Sequence, residues 1–356
     1  MVHRKKTPLY VYAISLISIV VFVTCVAIVL ITVARKPKEP SVQPRSMTYF
    51  GSMCSLNLFE DGTQELYNAL FYRLEQIDAE FDTKKVSSDI SQINEAAGNH
   101  AVEVNDDIIY VLSRALSYAE LSNGLFDPTI APITNLWNIG TDEAHLPNQR
   151  YITANLPLVD YRDVVIDGKT VFLKREGMAL DLGAIVKGFA TDELCKILKE
   201  RGVKKAIIDL GGNIYVYGKK LDDEPWYVGI KNPEDTGGDP AVVLPLKECS
   251  IVTSGVYERF FYQSGKRYHH IFDTKTGYPL ETNLLSATVI CSSSIDADAL
   301  STLVFILGID AGIDLLDRMD GVSGIFIEDN HEITATESLK GLLESPTYKY
   351  KTIRYK

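Results

Sequence analysis

Residues 9–34, "LYVYAISLISIVVFVTCVAIVLITVA", form a run of 26 without one charged side chain. In lipid a backbone must satisfy its own hydrogen bonds, so a run like this crosses a membrane only as a helix. At about 1.5 Å per residue it exceeds a hydrocarbon core of about 30 Å. Arg4, Lys5 and Lys6 precede it, and Arg35, Lys36 and Lys38 follow. A cleaved signal peptide has a shorter apolar region, of about 7–15 residues, and a small-x-small cleavage site; neither fits. Lipidation is not expected, because Thr24 rather than a small residue precedes Cys25 and the apolar run continues past it. The expectation is one transmembrane helix over 9–34. Residues 1–8 would be a cytoplasmic tail and the remainder would lie outside the cell membrane, although the flanking charges are nearly balanced. Pro37, Pro40 and Pro44 punctuate 35–46 as an extended spacer, so folded structure is expected from about Met47.

A net charge of −11 argues against binding a nucleic-acid backbone, which needs a basic surface. A bound cation could still let an acidic protein hold a phosphate ligand. Length and 46% hydrophobic residues suit one large or two modest domains. The cysteines, Cys25, Cys54, Cys195, Cys249 and Cys291, are odd in number and scattered, without a C-x-x-C, so one or no disulfide is expected.

Along the body, short strands alternate with long amphipathic helices. Leu66, Leu70, Leu74, Ile77 and Phe81 are spaced by three and four, which predicts a helix over Gln64–Asp82. Ile109, Leu112, Leu116 and Ala119 predict a second over Asp106–Leu121. "MTYFGSMCSLNLFED" reads as a strand bent at Gly51, and Asp167-Gly168 as a hairpin turn. "MALDLGAIVKGFATDELCKILKERG" reads as a strand, a Gly-flanked loop and a helix, which puts Asp181 at a strand end. "IIDLGGNIYVYG", "PWYVGIKNP", "VVLPLKECSIVTSG" and "SATVICSS" read as further strands. Hairpin-connected strands mixed with helices favour an α+β fold with mixed sheets. Residues 345–356, ending "YKYKTIRYK", are a basic last strand or a tail near lipid.

Chemistry-bearing residues gather in a few stretches. In "SSSIDADALSTLVFILG", Ser294 is a candidate helix cap and the acids suit a first turn. Asp298 and Thr302 also share one helix face as hard oxygen donors of the kind Mg²⁺ takes, so capping and ligation both stand. Asp296 points elsewhere. Gly183 and Gly188 flank Lys187 where a backbone could approach an anion or simply turn. Leu210–Asn213 is a bend or a close approach, and Asp127-Pro128 a routine turn. In "YHHIFDTKTGYP" His269 and His270 face opposite ways on a strand, so one could reach a site and act as a general base. Thr253 and Ser254 of "VTSG" could offer a hydroxyl.

Taken in order, "FGSMCSLNLF", "FDTKKVSSDISQIN", "GLFDPTIAPITNLW", "ALDLGAIVKGFATDEL", "IIDLGGNIYVYG", "IVTSGVYERFF", "YHHIFDTKTGYP" and "DADALSTLVFILG" resemble the ApbE family of FAD:protein FMN transferases over roughly Met47–Leu343. The resemblance implies an α+β body at 47–344 with two related subdomains and the flavin in a cleft between them. It implies Mg²⁺-dependent transfer of FMN from FAD to a Thr or Ser of an acceptor protein, releasing AMP. The acceptor would be a subunit or domain of a membrane electron-transfer system. It places Asp298 and Thr302 at the metal, with the Ala184 carbonyl as third ligand. Phe50, Met53, Leu125, Phe126, Asp127, Asp181, Lys187 and Phe272 match positions around FAD, and His270 matches the general base, with Lys187 assisting. Where many members have a Tyr near FAD this chain has Lys84, and Asp82 stands at the usual Ser. That departure bears on FAD retention and keeps a Mg²⁺-dependent FAD pyrophosphatase, giving FMN and AMP, as the alternative. A non-catalytic flavin-binding protein is disfavoured by Asp298, Thr302 and His270.

Overall fold

The computed structural model describes residues 44–220, 224–235, 237–347, 349–350 and 352–356. The expected membrane span and nearly all of the Pro-rich spacer lie outside the described residues. Among those described, no helix is long and apolar enough to cross a membrane.

One nine-stranded sheet organises the body. Its strands lie side by side in chain order: Arg45–Tyr49, Ser52–Asn57, Lys205–Leu210, Asn213–Gly218, Cys249–Gly255, Leu284–Cys291, Ser323–Glu328, Ile333–Ala335 and Ile353–Tyr355. Every neighbouring pair is antiparallel except the last, so the sheet is mixed by one parallel edge strand, made by the basic C-terminal stretch. Helices and three smaller sheets are inserted between the strands of this sheet. The described residues from 44 on belong to one compact unit, in which the large sheet is accompanied by one three-stranded and two two-stranded sheets.

Both sheet faces are covered, and the period of two shows in what each residue meets. Val252, Val289 and Phe326 point into the core under the helices, while their neighbours Ile251, Ile290, Ile325 and Ile327 point into a second core. The second core is closed by the hairpin of Trp226–Ile230 and Val242–Leu246 and by Tyr350. Burial on both faces is why all eight residues of Leu284–Cys291 are buried. On the helical side, Ser294–Leu307 lies against Cys249–Gly255 and Leu284–Cys291 and packs on Val186–Glu200, which packs in turn on Gln64–Phe81. A satellite core of Ile133, Trp137, Ile152 and Phe272 supports the loop after His270, with the Trp137 indole donating to the Gly277 carbonyl at 2.9 Å.

The structure departs from the expectations at three places. The first strand is a hairpin, because Phe50 and Gly51 both take positive φ, 54° and 64°, and reverse the chain. Met178–Asp181 forms no strand, so Asp181 does not stand at a strand end; Leu180 is held instead by Asn94, whose amide oxygen accepts from its N–H at 2.6 Å and whose amide nitrogen donates to its carbonyl at 3.1 Å. The helix cap is Ser293, not Ser294: its hydroxyl accepts from the Asp296 N–H, and Ser294 is the buried first helical residue, bonded to Asn213. The four cysteines among the described residues are free.

Candidate active site

Two helix beginnings meet beside the sheet. Gly188, in the first turn of Val186–Glu200, is so close to Ser294–Leu307 that a β-carbon there would lie 2.2 Å from the Ser294 carbonyl oxygen. That closeness lets the Gly188 N–H donate to Asp298 Oδ2 at 2.8 Å, an anion on the amides of a helix N-terminus. Asp298 is 4% exposed. Burial raises its pKa, and the Lys187 charge, the Gly188 amide and the Asn213 carboxamide oppose that rise. One turn on, the Thr302 hydroxyl is 3.1 Å from the Ser254 hydroxyl, which also bonds Ser301 at 2.8 Å. Asp296 faces away, as its spacing predicts: its carboxylate takes Arg114 and the Tyr118 hydroxyl.

Asp298 and Thr302 open onto a cavity of about 600 Å³. Its walls come from the Phe50–Gly51 turn, the Gly211 turn and the Thr253–Gly255 strand end, all at one end of the sheet, and from Ala184 before the helix Val186–Glu200 and Lys187 in its first turn. Of the residues singled out from the sequence, Phe50, Leu125, Phe126, Asp127, Asp181, Ala184, Lys187, His270, Phe272, Asp298 and Thr302 line it. Met53 and Lys84 do not. Met53 follows the turn onto the strand and is 62% exposed, and Lys84 is exposed on the Asp82–Ser88 loop, whose polar groups bond to one another.

The acids on the far wall are already engaged. Asp127 Oδ1 accepts from the Thr129 N–H and hydroxyl at 2.8 and 2.6 Å, and Oδ2 accepts from the Tyr161 N–H at 3.0 Å. It therefore locks its own loop, the structural role of an Asp-Pro turn. Asp181 accepts from the Gly183 N–H and the Thr134 hydroxyl. His270 places Nδ1 3.2 Å from the Arg259 carbonyl. A carbonyl only accepts, so Nδ1 carries the proton and Nε2 keeps its lone pair. Burial first, then the Arg259 charge, pulls the His270 pKa down to about 3, so the ring is neutral at physiological pH. His269 points the other way, to the Leu280 carbonyl.

Sequence reading did not single out Arg259 or Gly140, which also line the cavity. Neither belongs to a spacing pattern, and both arrive on loops whose course depends on tertiary packing.

A profile of the ApbE family matches residues 50–326. An FAD:protein FMN transferase of Treponema pallidum is 36% identical over 83% of this chain and 87% of its own length. One of Klebsiella pneumoniae is 35% identical over 81% of this chain and 90% of its own. Among solved structures, an ApbE protein from Thermotoga maritima superposes with a TM-score of 0.76 at 29% identity, covering 84% of this chain and 98% of its own. The flavinyl transferase ApbE of Pseudomonas stutzeri superposes with 0.71 at 27% identity, covering 81% and 91%.

Proposed function

The chain belongs to the ApbE family of flavin-transferring enzymes, and from that premise we propose that it moves FMN from FAD onto a Ser or Thr hydroxyl of an acceptor protein, aided by Mg²⁺. The observation that carries this reading is the convergence of Asp298 and Thr302 from one helix, Lys187 from a second and His270 from just past a strand end on one cavity.

The donor set fits the ion. Asp298 offers a carboxylate, Thr302 a hydroxyl and Ala184 a peptide carbonyl, all hard oxygens of the kind Mg²⁺ takes. A carboxylate whose ionised form is disfavoured by burial is a group that a cation would relieve. When bound there, the ion would neutralise diphosphate charge and make phosphorus more electrophilic.

The remaining work falls to the chain's own residues. Phe50 and Phe272 offer aromatic surface for the isoalloxazine, and Leu125 and Phe126 a wall for the adenine half. Asp127 keeps that wall in place through Thr129 and Tyr161. Lys187 sets a positive charge by the phosphates. His270, oriented by the Arg259 carbonyl, takes the acceptor's hydroxyl proton at Nε2. The acceptor oxygen bonds to the FMN phosphorus as the bond to AMP breaks, and AMP leaves with the electron pair. Holding these parties in line supplies most of the rate. The hydrolytic alternative rested on Lys84 standing beside FAD. Lys84 is exposed and does not line the cavity, which supports transfer over hydrolysis.

The uncharged run at 9–34 supports attachment to the cell membrane, with residues 47–344 extracytoplasmic and the acceptor part of a membrane electron-transfer system. The test incubates the full chain in detergent with FAD, Mg²⁺ and an acceptor domain and reads the acceptor by mass spectrometry. One FMN on a Thr or Ser, lost with chelator, supports the reading. Free FMN without adduct makes it a hydrolase, and unchanged FAD sinks both.

A further inference from the structure

Arg259 crosses the mouth of the cavity. Its stem lies over Gly140, where a β-carbon would come within 3.0 Å of Cδ, and its head reaches the Phe50–Gly51 turn, donating from Nη2 to the Phe50 carbonyl at 3.3 Å. The positive-φ Gly140 thus leaves room for the stem, while a β-carbon at Gly51 would meet the head at an ordinary contact distance of 3.5 Å from Nη2. A single weak backbone acceptor uses one of five guanidinium donors. Arg259 forms no ion pair among the described residues. The adjacent Glu258, also on the wall, is turned to Lys231 at 3.5 Å, and Asp127 and Asp181 bond within their own loops.

His270 lies where Arg259 and Lys187 both act on it, the two cations that line the cavity. Its backbone and ring both bond the Arg259 carbonyl, so the guanidinium stem starts beside the proposed base. Resting on the transfer reading above, we propose that Arg259 is a catalytic residue: its guanidinium binds the non-bridging oxygens of the FMN phosphoryl group as that group passes from AMP to the acceptor hydroxyl. Lys187 acts on Asp298, whereas the Arg259 carbonyl holds His270. Arg259 is the donor on the side from which His270 receives the attacking hydroxyl. A guanidinium fork suits two phosphoryl oxygens at once, and an ammonium does not. The step balances without a further reactant. The acceptor O–P bond forms, the P–O bond to AMP breaks, the proton passes to His270 and the electron pair leaves with AMP.

The experiment compares full-length wild type, Arg259→Lys and Arg259→Ala for FMN transfer, FAD affinity by flavin fluorescence, and thermal midpoint. Loss of one preorganised donor to a charged transition state costs about 10²–10³-fold in kcat. Arg259→Ala is expected to lose that much with FAD affinity changed less than about fivefold. Arg259→Lys should recover only part, and millimolar guanidinium should restore Arg259→Ala but not a Lys187→Ala variant. Transfer by Arg259→Ala within about twofold of wild type overturns the proposal. So does a loss that guanidinium leaves untouched. Wild type is the arm that keeps the two readings apart: absence of adduct there refutes the transfer function itself, whereas normal wild-type transfer with an active Arg259→Ala refutes only the role of Arg259.

Discussion

Gly188→Ala is the most revealing single substitution, because it adds one methyl group where two helices meet. The new β-carbon would lie 2.2 Å from the Ser294 carbonyl oxygen and 2.6 Å from Ile295 Cα, all backbone, so no side chain can swing aside. The helices must separate by roughly 1 Å, and overpacking of this kind costs about 1–3 kcal/mol. At roughly 2–4 °C per kcal/mol that is a fall of about 2–12 °C in thermal midpoint. The same movement stretches the 2.8 Å bond from Gly188 N–H to Asp298 and carries Lys187 away from it. A displacement near 1 Å at a transfer site costs about 10²-fold in rate. Scanning calorimetry and FMN transfer on the same preparation give both numbers. Gly168→Ala is the control: that turn glycine also has positive φ, 58°, but has nothing within 4 Å of the new methyl. It should lose about 1 kcal/mol from backbone strain and no activity. Wild-type stability and rate in Gly188→Ala would refute the claim that helix contact sets the Asp298 geometry.

Three further outcomes follow from the same site. Asp298→Asn removes a carboxylate that burial disfavours, so in the absence of Mg²⁺ its thermal midpoint should equal or exceed that of wild type while FMN transfer disappears; a destabilised but active variant would contradict this. The folded His270 pKa of about 3 lies below the unfolded value of about 6.5, so the unfolded chain binds more protons between the two. Stability that this residue supplies above about pH 6.5 is therefore lost as pH falls towards 3, and His270→Gln should flatten the acid limb of a midpoint-against-pH curve; parallel curves would tell against it. Trp137→Phe leaves the buried Gly277 carbonyl without its 2.9 Å donor, a cost of about 1–3 kcal/mol read from a denaturant melt, and should weaken transfer through the loop that carries Phe272.

Local periodicity made the long helices legible. Gln64–Phe81 and Asp106–Leu121 end within one residue of their predicted bounds because cap and apolar stripe are both written in the local chain. The stretch before Asp181 was misread for the converse reason. "MALDL" has the composition of a strand, but Asn94, far back in the chain, takes the N–H and carbonyl of Leu180, and no local pattern records a partner at that distance. The one-residue error in the cap between Ser293 and Ser294 is of the same kind. Three serines in a row are equivalent caps until burial against Asn213 assigns one of them to the interior.

The site divides along the same line. The Asp298–Thr302 spacing shows that two oxygens share a helix face, and the structure puts both on the cavity. Spacing alone leaves caps and ligands both open, and it says nothing of the contacts with other segments: Gly188 holding Asp298, Ser254 meeting Thr302, and Ala184 on the same wall. Lys84 shows the limit of carrying a position across by motif. Its residue type departs from the family pattern in a loop that bonds to itself, on the surface and outside the cavity. Arg259 is the opposite case. It stands in a motif that carried the family resemblance, yet its chemistry emerges only when Gly140, remote in sequence, leaves room for its stem and the Phe50 carbonyl takes its head. Two glycines therefore shape the site alongside the charged residues, since Gly188 sets the helix contact that holds Asp298 and Gly140 leaves room for the Arg259 stem.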